Sequence, residues 1–283
     1  MSEPVLTVVV PCWNSERFLR RCLASLVGAP PGVLEVIVVD NQSSDDTLAI
    51  VSSHGELVSR VISESDRGQS DALNKGFRAA TGKFVCWLNS DDEFVGGALA
   101  RVLAVLQRGQ DDWYTAGMVW IDEASCIVRC SPPLPHWNLL ARYGATGIGG
   151  PSSFVRRSAL AKVGEFDERL HYSMDTDMWY RLHKLGVRLT VLGLYVWAFR
   201  IHAASKTSHV HLGERMNAGM SKERFLLAER HGFGTTRLDE KLLMAGTRAV
   251  GLLSGRDLRA WSDTRRYRGR HVNELLAEPP AVG

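Results

Sequence analysis

Apolar and polar positions follow two alternating periods over the first 95 residues. VLTVVV (5–10) is a continuous apolar run of strand length. NSERFLRRCLASLV (14–27) follows it, with Phe18, Cys22, Leu23 and Leu26 on one helical face and Asn14 or Ser15 as its cap. LEVIVVD (34–40) reads as strand, SSDDTLAIVSSH (43–54) as a capped helix and LVSRVIS (57–63) as a third strand. GQSDALNKGFRAAT (68–81) reads as a helix closed by Gly82, and KFVCWLN (83–89) as a fourth strand. Apolar strands separated by amphipathic helices predict a parallel sheet covered on both faces.

From residue 96 the regular alternation fades. GALARVLAVLQRG (97–109) predicts a helix, and DWYTAGMVWIDEASCIVRC (112–130) a strand pair around a turn, inserted antiparallel at the flank of a mixed sheet. GIGGPSSFVRRSALAKVG (147–164) predicts a Gly-rich loop, a short strand and a helix. DTDMWYRLHKLG (175–186) is amphipathic, and RLTVLGLYVWAFRIH (188–202) supplies one or two strands. Beyond about residue 210 the pattern is helical. This suggests one α/β domain in two halves, 1–95 and 96–210, with a helical extension over 211–283.

Charge adds an asymmetry. Residues 1–199 carry 19 Lys/Arg against 22 Asp/Glu, and residues 200–283 carry 15 against 9. The basic excess is densest in GRDLRAWSDTRRYRGRH (255–271), a pattern that nucleic acid, an anionic membrane surface or a phosphate-bearing substrate could meet, or that simply makes a solvated helix. No stretch approaches the roughly 18–20 apolar residues of a membrane span. The start lacks a basic leader, and five cysteines suit reduced thiols better than a disulfide framework, so a cytoplasmic setting is expected. Cys126-x-x-x-Cys130 would be half a zinc site, but no second pair stands at a matching spacing.

Ligands of open parallel sheets bind outside the carboxyl ends of the strands. Here those ends read Pro11-Cys12-Trp13-Asn14, Asp40-Asn41, Glu64-Ser65-Asp66-Arg67 and Asn89-Ser90-Asp91-Asp92. Adjacent carboxylates at a strand tip repel unless a cation lies near them or solvent surrounds them. No G-x-G-x-x-G follows the first strand and no G-x-x-x-x-G-K-[ST] occurs, so neither a dinucleotide fold nor a P-loop is indicated.

TVVVPCWNSERFLRRCLASL, EVIVVDNQSSDDT, DRGQSDALNKGFRAATGKFVCWLNSDD and FDERLHYSMDTDMWYRL, in that order, resemble the family 2 glycosyltransferases of GT-A fold over about residues 5–207. The resemblance implies a Rossmann-like, mostly parallel sheet sandwiched by helices, and inverting transfer of a sugar from a nucleotide-diphosphate donor to an acceptor hydroxyl. UDP is the favoured donor nucleotide, with dTDP and GDP as alternatives. The acceptor is a sugar, a lipid-linked molecule or a small molecule, and nucleic acid has no part. It implies Mn2+ or Mg2+ on Asp91, with His202 completing the shell or contacting the diphosphate. Asp92 stands behind the metal ligand or against the sugar, and Asn89 and Ser90 occupy the rest of the family's D-x-D position. Pro11, Trp13, Asn14 and Asp40 would meet the base and ribose. Asp66, Arg67 and Gln69 would meet the nucleotide or phosphate. Asp175 matches the catalytic base, with Asp177 as fallback, and Arg200, Ser205 and Lys206 would hold phosphate nearby.

Two other readings compete. A nucleotidyltransferase would carry a Gly-rich basic loop after the first strand, which this chain lacks. A non-catalytic nucleotide-sugar-binding or assembly protein of the same fold is kept open by Asn41 and Asn89, which stand where carboxylates are commoner. For the C-terminal helices, covering the acceptor side, forming a homodimer and touching an anionic membrane all remain open.

Overall fold

Val8, Val9 and Val10 expose no surface, because strand β1 (Leu6–Cys12) runs through the interior of a sheet covered on both faces. The computed structural model describes residues 3–135, 140–141, 148–205, 218–233 and 237–275. Strands β2 (Leu34–Asp40), β3 (Arg60–Ser63) and β4 (Phe84–Trp87) join β1 in the parallel order β3-β2-β1-β4. Between them run helices α1 (Leu19–Ala24), α2 (Thr47–Ser52) and α3 (Gln69–Ala79). The strand pleat sends alternate side chains to opposite faces. Val8 and Val10 therefore join Leu19, Leu23 and Leu26 in one core, and Val9 joins Leu73 in the other. Gly76 lets α3 lie directly on β1, since a Cβ there would come within 2.3 Å of Val9 Cγ1.

The sheet continues through β5 (Glu93–Phe94), β6 (Trp113–Ile121), β8 (Ser153–Arg156) and β9 (Leu189–Arg200), with β7 (Ile127–Ser131) beside β6. Helices α4 (Ala98–Arg108), α5 (Arg157–Val163) and α6 (Met174–Lys184) pack against it. Three further helices, α7 (Ala218–His231), α8 (Arg237–Leu253) and α9 (Arg256–Tyr267), make up the described part of the C-terminal region, as the late helical pattern predicts. Among the described residues no helix is long and apolar enough to cross a membrane. The five cysteines are unpaired, and four of them are buried.

Three expectations change. The first helix starts at Leu19, because Asn14 and Ser15 are spent in a loop rather than as caps. Asn14 adopts φ 47, its amide donates to Ser43 Oγ, and its side-chain oxygen accepts from Ser44 N. Strand β3 is shorter than its apolar run and mostly exposed, since it forms the sheet edge. The antiparallel pair β6–β7 forms as expected, but only β7 lies off the main run of the sheet. Strand β6 lies inside the sheet, antiparallel to β8 and parallel to β9, and its nearly unbroken burial reflects partners on both sides.

Candidate functional site

Strand order reverses between β1 and β4, since β2 and β3 extend to one side and the chain then crosses to the other. The carboxyl ends of β1 and β4 thus open onto a crevice, where sheet geometry leaves backbone groups and loop side chains facing a ligand. A cleft of about 1000 Å³ occupies this place. It is lined by Pro11, Trp13, Asn14, Asp66, Gln69, Asn89, Ser90, Asp91, Asp175, His202 and Ser205.

At the exit of β4 the two adjacent carboxylates part company. Asp91 faces the cleft, and its Oδ2 lies 3.0 Å from His202 Nε2. Asp92 turns inward and is almost fully buried, so it does not meet a ligand directly. Its Oδ2 accepts from Asn89 Nδ2 at 2.8 Å and Trp197 Nε1 at 2.9 Å, and its Oδ1 accepts from Arg200 N at 2.9 Å. Burial, then the neighbouring Asp91 charge, push the Asp92 carboxyl well above its usual range, and these three donors pull against that. Asn89 is a relay rather than a neutral gap: its Oδ1 accepts from Gln69 Nε2 at 2.7 Å while its amide nitrogen holds Asp92.

Arg200 is not a phosphate ligand in this geometry, because its guanidinium is completely buried. It donates to Asp91 O, Asp122 O and Glu93, and lies 4.7 Å from the Phe18 ring centroid. His202 follows two residues later, its ring 5.0 Å from Phe18 and its Nδ1 buried without a hydrogen-bond partner among the described residues. Ser205 lines the cleft, whereas Lys206 lies outside the described residues.

Asp91 and His202 together suit a divalent cation. A carboxylate oxygen and an imidazole nitrogen already converge at the cleft wall, and that donor pair favours Mn2+ over Mg2+. Among the described residues no cluster of three or more His, Cys, Asp or Glu side chains forms a cage. A cation here would draw its remaining ligands from ligand oxygens and water.

The other strand exits divide in the same way. Trp13 is 67% exposed at the cleft, with its ring available for stacking. Asn14 ties the β1 loop to the β2 loop. Asp40 is fully buried and does not line the cleft: it accepts from Ser43 N and Ser63 Oγ. Asn41, at the cleft, accepts from Asp66 N at 2.8 Å. Burial raises the Asp66 carboxyl, partly offset by the Gly68 amide that donates to it. Arg67 turns out of the cleft, 2.5 Å from Glu168 and 3.5 Å from Asp71, so the expected phosphate contact is not made by this conformer.

Across the cleft, Asp175 sits in the first turn of α6, and its Oδ1 accepts from Thr176 N at 2.6 Å. Trp87, Gly150 and Asp175 meet there. A Cβ on Gly150 would lie 2.3 Å from Trp87 Cζ2 and 3.2 Å from Asp175 Oδ2. Glycine is therefore required for the loop to pass between the indole and the carboxylate. Asp177 is corrected from fallback base to clamp. It is buried and accepts from Arg181 Nε at 2.8 Å, and from Arg230 Nη1 and His231 Nε2 at 2.9 Å.

The most consequential residue that sequence reasoning passed over is Glu223 of α7. Its carboxylate accepts from His171 N at 2.7 Å and from Tyr172 N and Ser173 N at 2.9 Å, capping the segment that leads into α6 and Asp175. Met220, Arg224 and Leu227 of α7, Leu243 of α8 and Arg256 of α9 line the same side of the cleft. The only sequence signal was a helix with an acid and an arginine side by side, which does not disclose a partner fifty residues earlier.

The chain is similar to known proteins in sequence and in fold. The chain is 26% identical over 235 residues to the GalNAc(5)-diNAcBac-PP-undecaprenol beta-1,3-glucosyltransferase of Campylobacter jejuni, covering 76% of this chain and 70% of the relative. Staphylococcus aureus TarS solved with UDP-GlcNAc shares the fold at TM-score 0.63 and 18% identity, covering 87% of this chain and 72% of that one. The Pyrobaculum calidifontis mannosyltransferase PcManGT, solved with GDP-Man and Mn2+, matches at TM-score 0.56 and 20% identity over 98% and 79% of the chains. The architecture is thus that of the GT-A glycosyltransferases. The profile of Glycosyl transferase family 2 matches residues 7–163, more than half of the chain, and the protein belongs to that family.

Proposed function

We propose that this enzyme moves a sugar from a nucleoside-diphosphate donor to an acceptor hydroxyl with inversion, using Asp91 and His202 to hold Mn2+ or Mg2+ and Asp175 as general base. The observation that carries this reading is that Asp91, His202 and Asp175 line one cleft, from the sheet exit on one side and the start of α6 on the other. Inverting displacement needs those two functions on opposite sides of the sugar.

The residues divide the work accordingly. Trp13 stacks on the base at the mouth of the cleft, and Pro11 forms the wall beside it. Asp66, Gln69 and Ser90 border the nucleotide, with Asn89 holding Gln69 in place. A divalent cation held by Asp91 and His202 would supply positive charge to offset the negative charge that accumulates on the leaving diphosphate. Asp175 accepts the acceptor's proton as the new bond forms, its carboxylate aimed by Thr176 and by the Glu223 cap.

UDP is the favoured donor nucleotide, with GDP and dTDP as alternatives. This is supported by the fold shared with a UDP-GlcNAc complex and a GDP-Man complex. The acceptor class is a sugar, a lipid-linked molecule or a small molecule. The name of the Campylobacter relative supports a lipid-linked glycan. The test is release of nucleoside diphosphate from a panel of UDP-, GDP- and dTDP-sugars with Mn2+ and candidate acceptors. One donor should turn over, and Asp175→Asn should stop turnover while leaving donor binding intact. Donor binding without turnover for any acceptor class would favour a non-catalytic binder.

A further inference from the structure

The helices α8 and α9 carry an outward surface that the transfer chemistry does not use. At the turn between them, Leu252 is 72% and Leu253 89% exposed, followed by Leu258 at 69% and Trp261 at 60%. On α8, Lys241, Ala245, Arg248 and Leu252 recur at helical spacing along one exposed stripe. On α9, Leu258, Trp261 and Arg265 form another, with the Arg265 guanidinium 5.5 Å from the Trp261 ring centroid.

The charge on these stripes is one-sided. The described carboxylates of α8 and α9 are each partly buried, although the Asp257 side chain keeps 42% of its surface exposed. Asp263 faces the sheet and accepts from Tyr195 Oη at 2.6 Å, while Asp257 pairs with Arg256. The inner face of α9 is pinned elsewhere too: Thr264 Oγ1 accepts from Cys130 N at 2.9 Å, and Arg256 Nε donates to Pro132 O at 3.1 Å. Its orientation is therefore fixed, and the cationic, apolar side must face outward.

We infer that this outward surface docks on an anionic lipid bilayer. Large exposed apolar side chains set among cations, with a tryptophan at the boundary, are the composition that binds in a headgroup layer. Nucleic acid would use the cations but leave Leu252 and Leu253 in water. A two-fold contact with a second copy would press like charges together, since the partly exposed Asp257 carboxylate is already paired with Arg256. Meanwhile the same helices contribute Leu243 and Arg256 to the cleft wall, so docking would set the acceptor side of the cleft beside the lipid.

The test is flotation of the full chain with vesicles of phosphatidylcholine alone and with added phosphatidylglycerol. Binding is expected only with the anionic lipid, and it should weaken as salt rises. Arg248→Gln combined with Arg265→Gln should lower the partition about 30-fold, counting about 1 kcal/mol per cation near the surface. Trp261→Ala and Leu253→Ser weaken it by the apolar route, with thermal melts and donor binding confirming an intact fold. Absence of wild-type flotation, equal binding to neutral vesicles, or indifference of all these variants overturns the inference. So does concentration-dependent dimerisation that Leu253→Ser abolishes while vesicles stay unbound.

Discussion

Arg200 N donates to Asp92 Oδ1 at 2.9 Å and Arg200 Nε to Asp91 O at 2.8 Å, so Arg200 ties both adjacent carboxylate residues to the strand that leads into His202. Asp92 and Arg200 are the buried neighbours of the two cleft residues, one on the exit of β4 and the other at the end of β9. The outer pair lies 3.0 Å apart beside the joined inner pair. The two halves of the candidate cation site come from distant stretches of sequence, and their alignment depends on residues that never touch a ligand.

Substitution should separate these roles. Asp91→Ala should cut turnover by more than about 100-fold, since a ligand matters more than its supporting shell. Its effect on stability should be small, because the side chain is partly exposed. Asp92→Ala should instead destabilise the fold by about 2–4 kcal/mol, as it strands the buried donors of Asn89, Trp197 and Arg200. Urea unfolding of both variants checks this. Equal stability loss in the two would contradict the division.

Gly150→Ala tests the packing under Asp175. The added methyl overlaps Trp87, whose ring stacks on Trp179 of α6 at 6.1 Å between centroids. The expected cost is about 1–3 kcal/mol. Turnover should fall with it, since the indole cannot move without displacing the helix that carries Asp175. Wild-type melting and turnover in this variant would show that the loop yields instead.

Glu223 is a positioning residue, and its test is a split between parameters. Glu223→Gln should lower kcat by about 10- to 100-fold through misplacement of Asp175. Donor affinity should stay unchanged, because Asp91 and Trp13 lie on the other side of the cleft. An effect on donor affinity alone would contradict the assignment.

The clamp around Asp177 predicts acid sensitivity. Burial pushes this carboxyl upward, but bonds from His231, Arg230 and Arg181 outweigh it and hold it below the usual range. Asp167 is held lower still, first by Arg169 and also by Arg230. A depressed folded value means the stabilisation is full above the unfolded pKa, about 4. It is lost as pH falls through the folded value. Thermal midpoints followed downward from pH 7 should therefore drop below about pH 4, and Asp177→Asn should flatten that slope while lowering the midpoint at neutral pH. An unchanged slope in Asp177→Asn would assign the acid sensitivity to other groups.

Much of this site could be read from order along the chain. The apolar runs of β1, β2 and β4 predicted buried parallel strands, the polar exits of β1, β3 and β4 pointed to Trp13, Asp66, Asn89 and Asp91, and the family resemblance pointed to Gln69, all of which line the cleft. Direction was harder. Asp91 and Asp92 are chemically identical neighbours, and the donors that hold Asp92 inward come from Asn89 and from β9, which the order along the chain does not reveal. Asp177 looked like an alternative to Asp175 until Arg230 and His231, far downstream, supplied its partners. Arg67 and Arg200 illustrate the same limit, since an arginine near a strand end carries no sign of whether a glutamate or a ligand claims it. The interior place of β6 was hidden for a related reason: burial shows in composition, but pairing does not.

The most direct measurement is calorimetric titration of UDP-, GDP- and dTDP-sugars into the wild type and Asp91→Ala, with and without Mn2+. The account predicts tight binding of one nucleotide class that requires Mn2+ and is lost in Asp91→Ala. Binding of the same strength without Mn2+, and unaltered in Asp91→Ala, would contradict the cation site at Asp91 and His202.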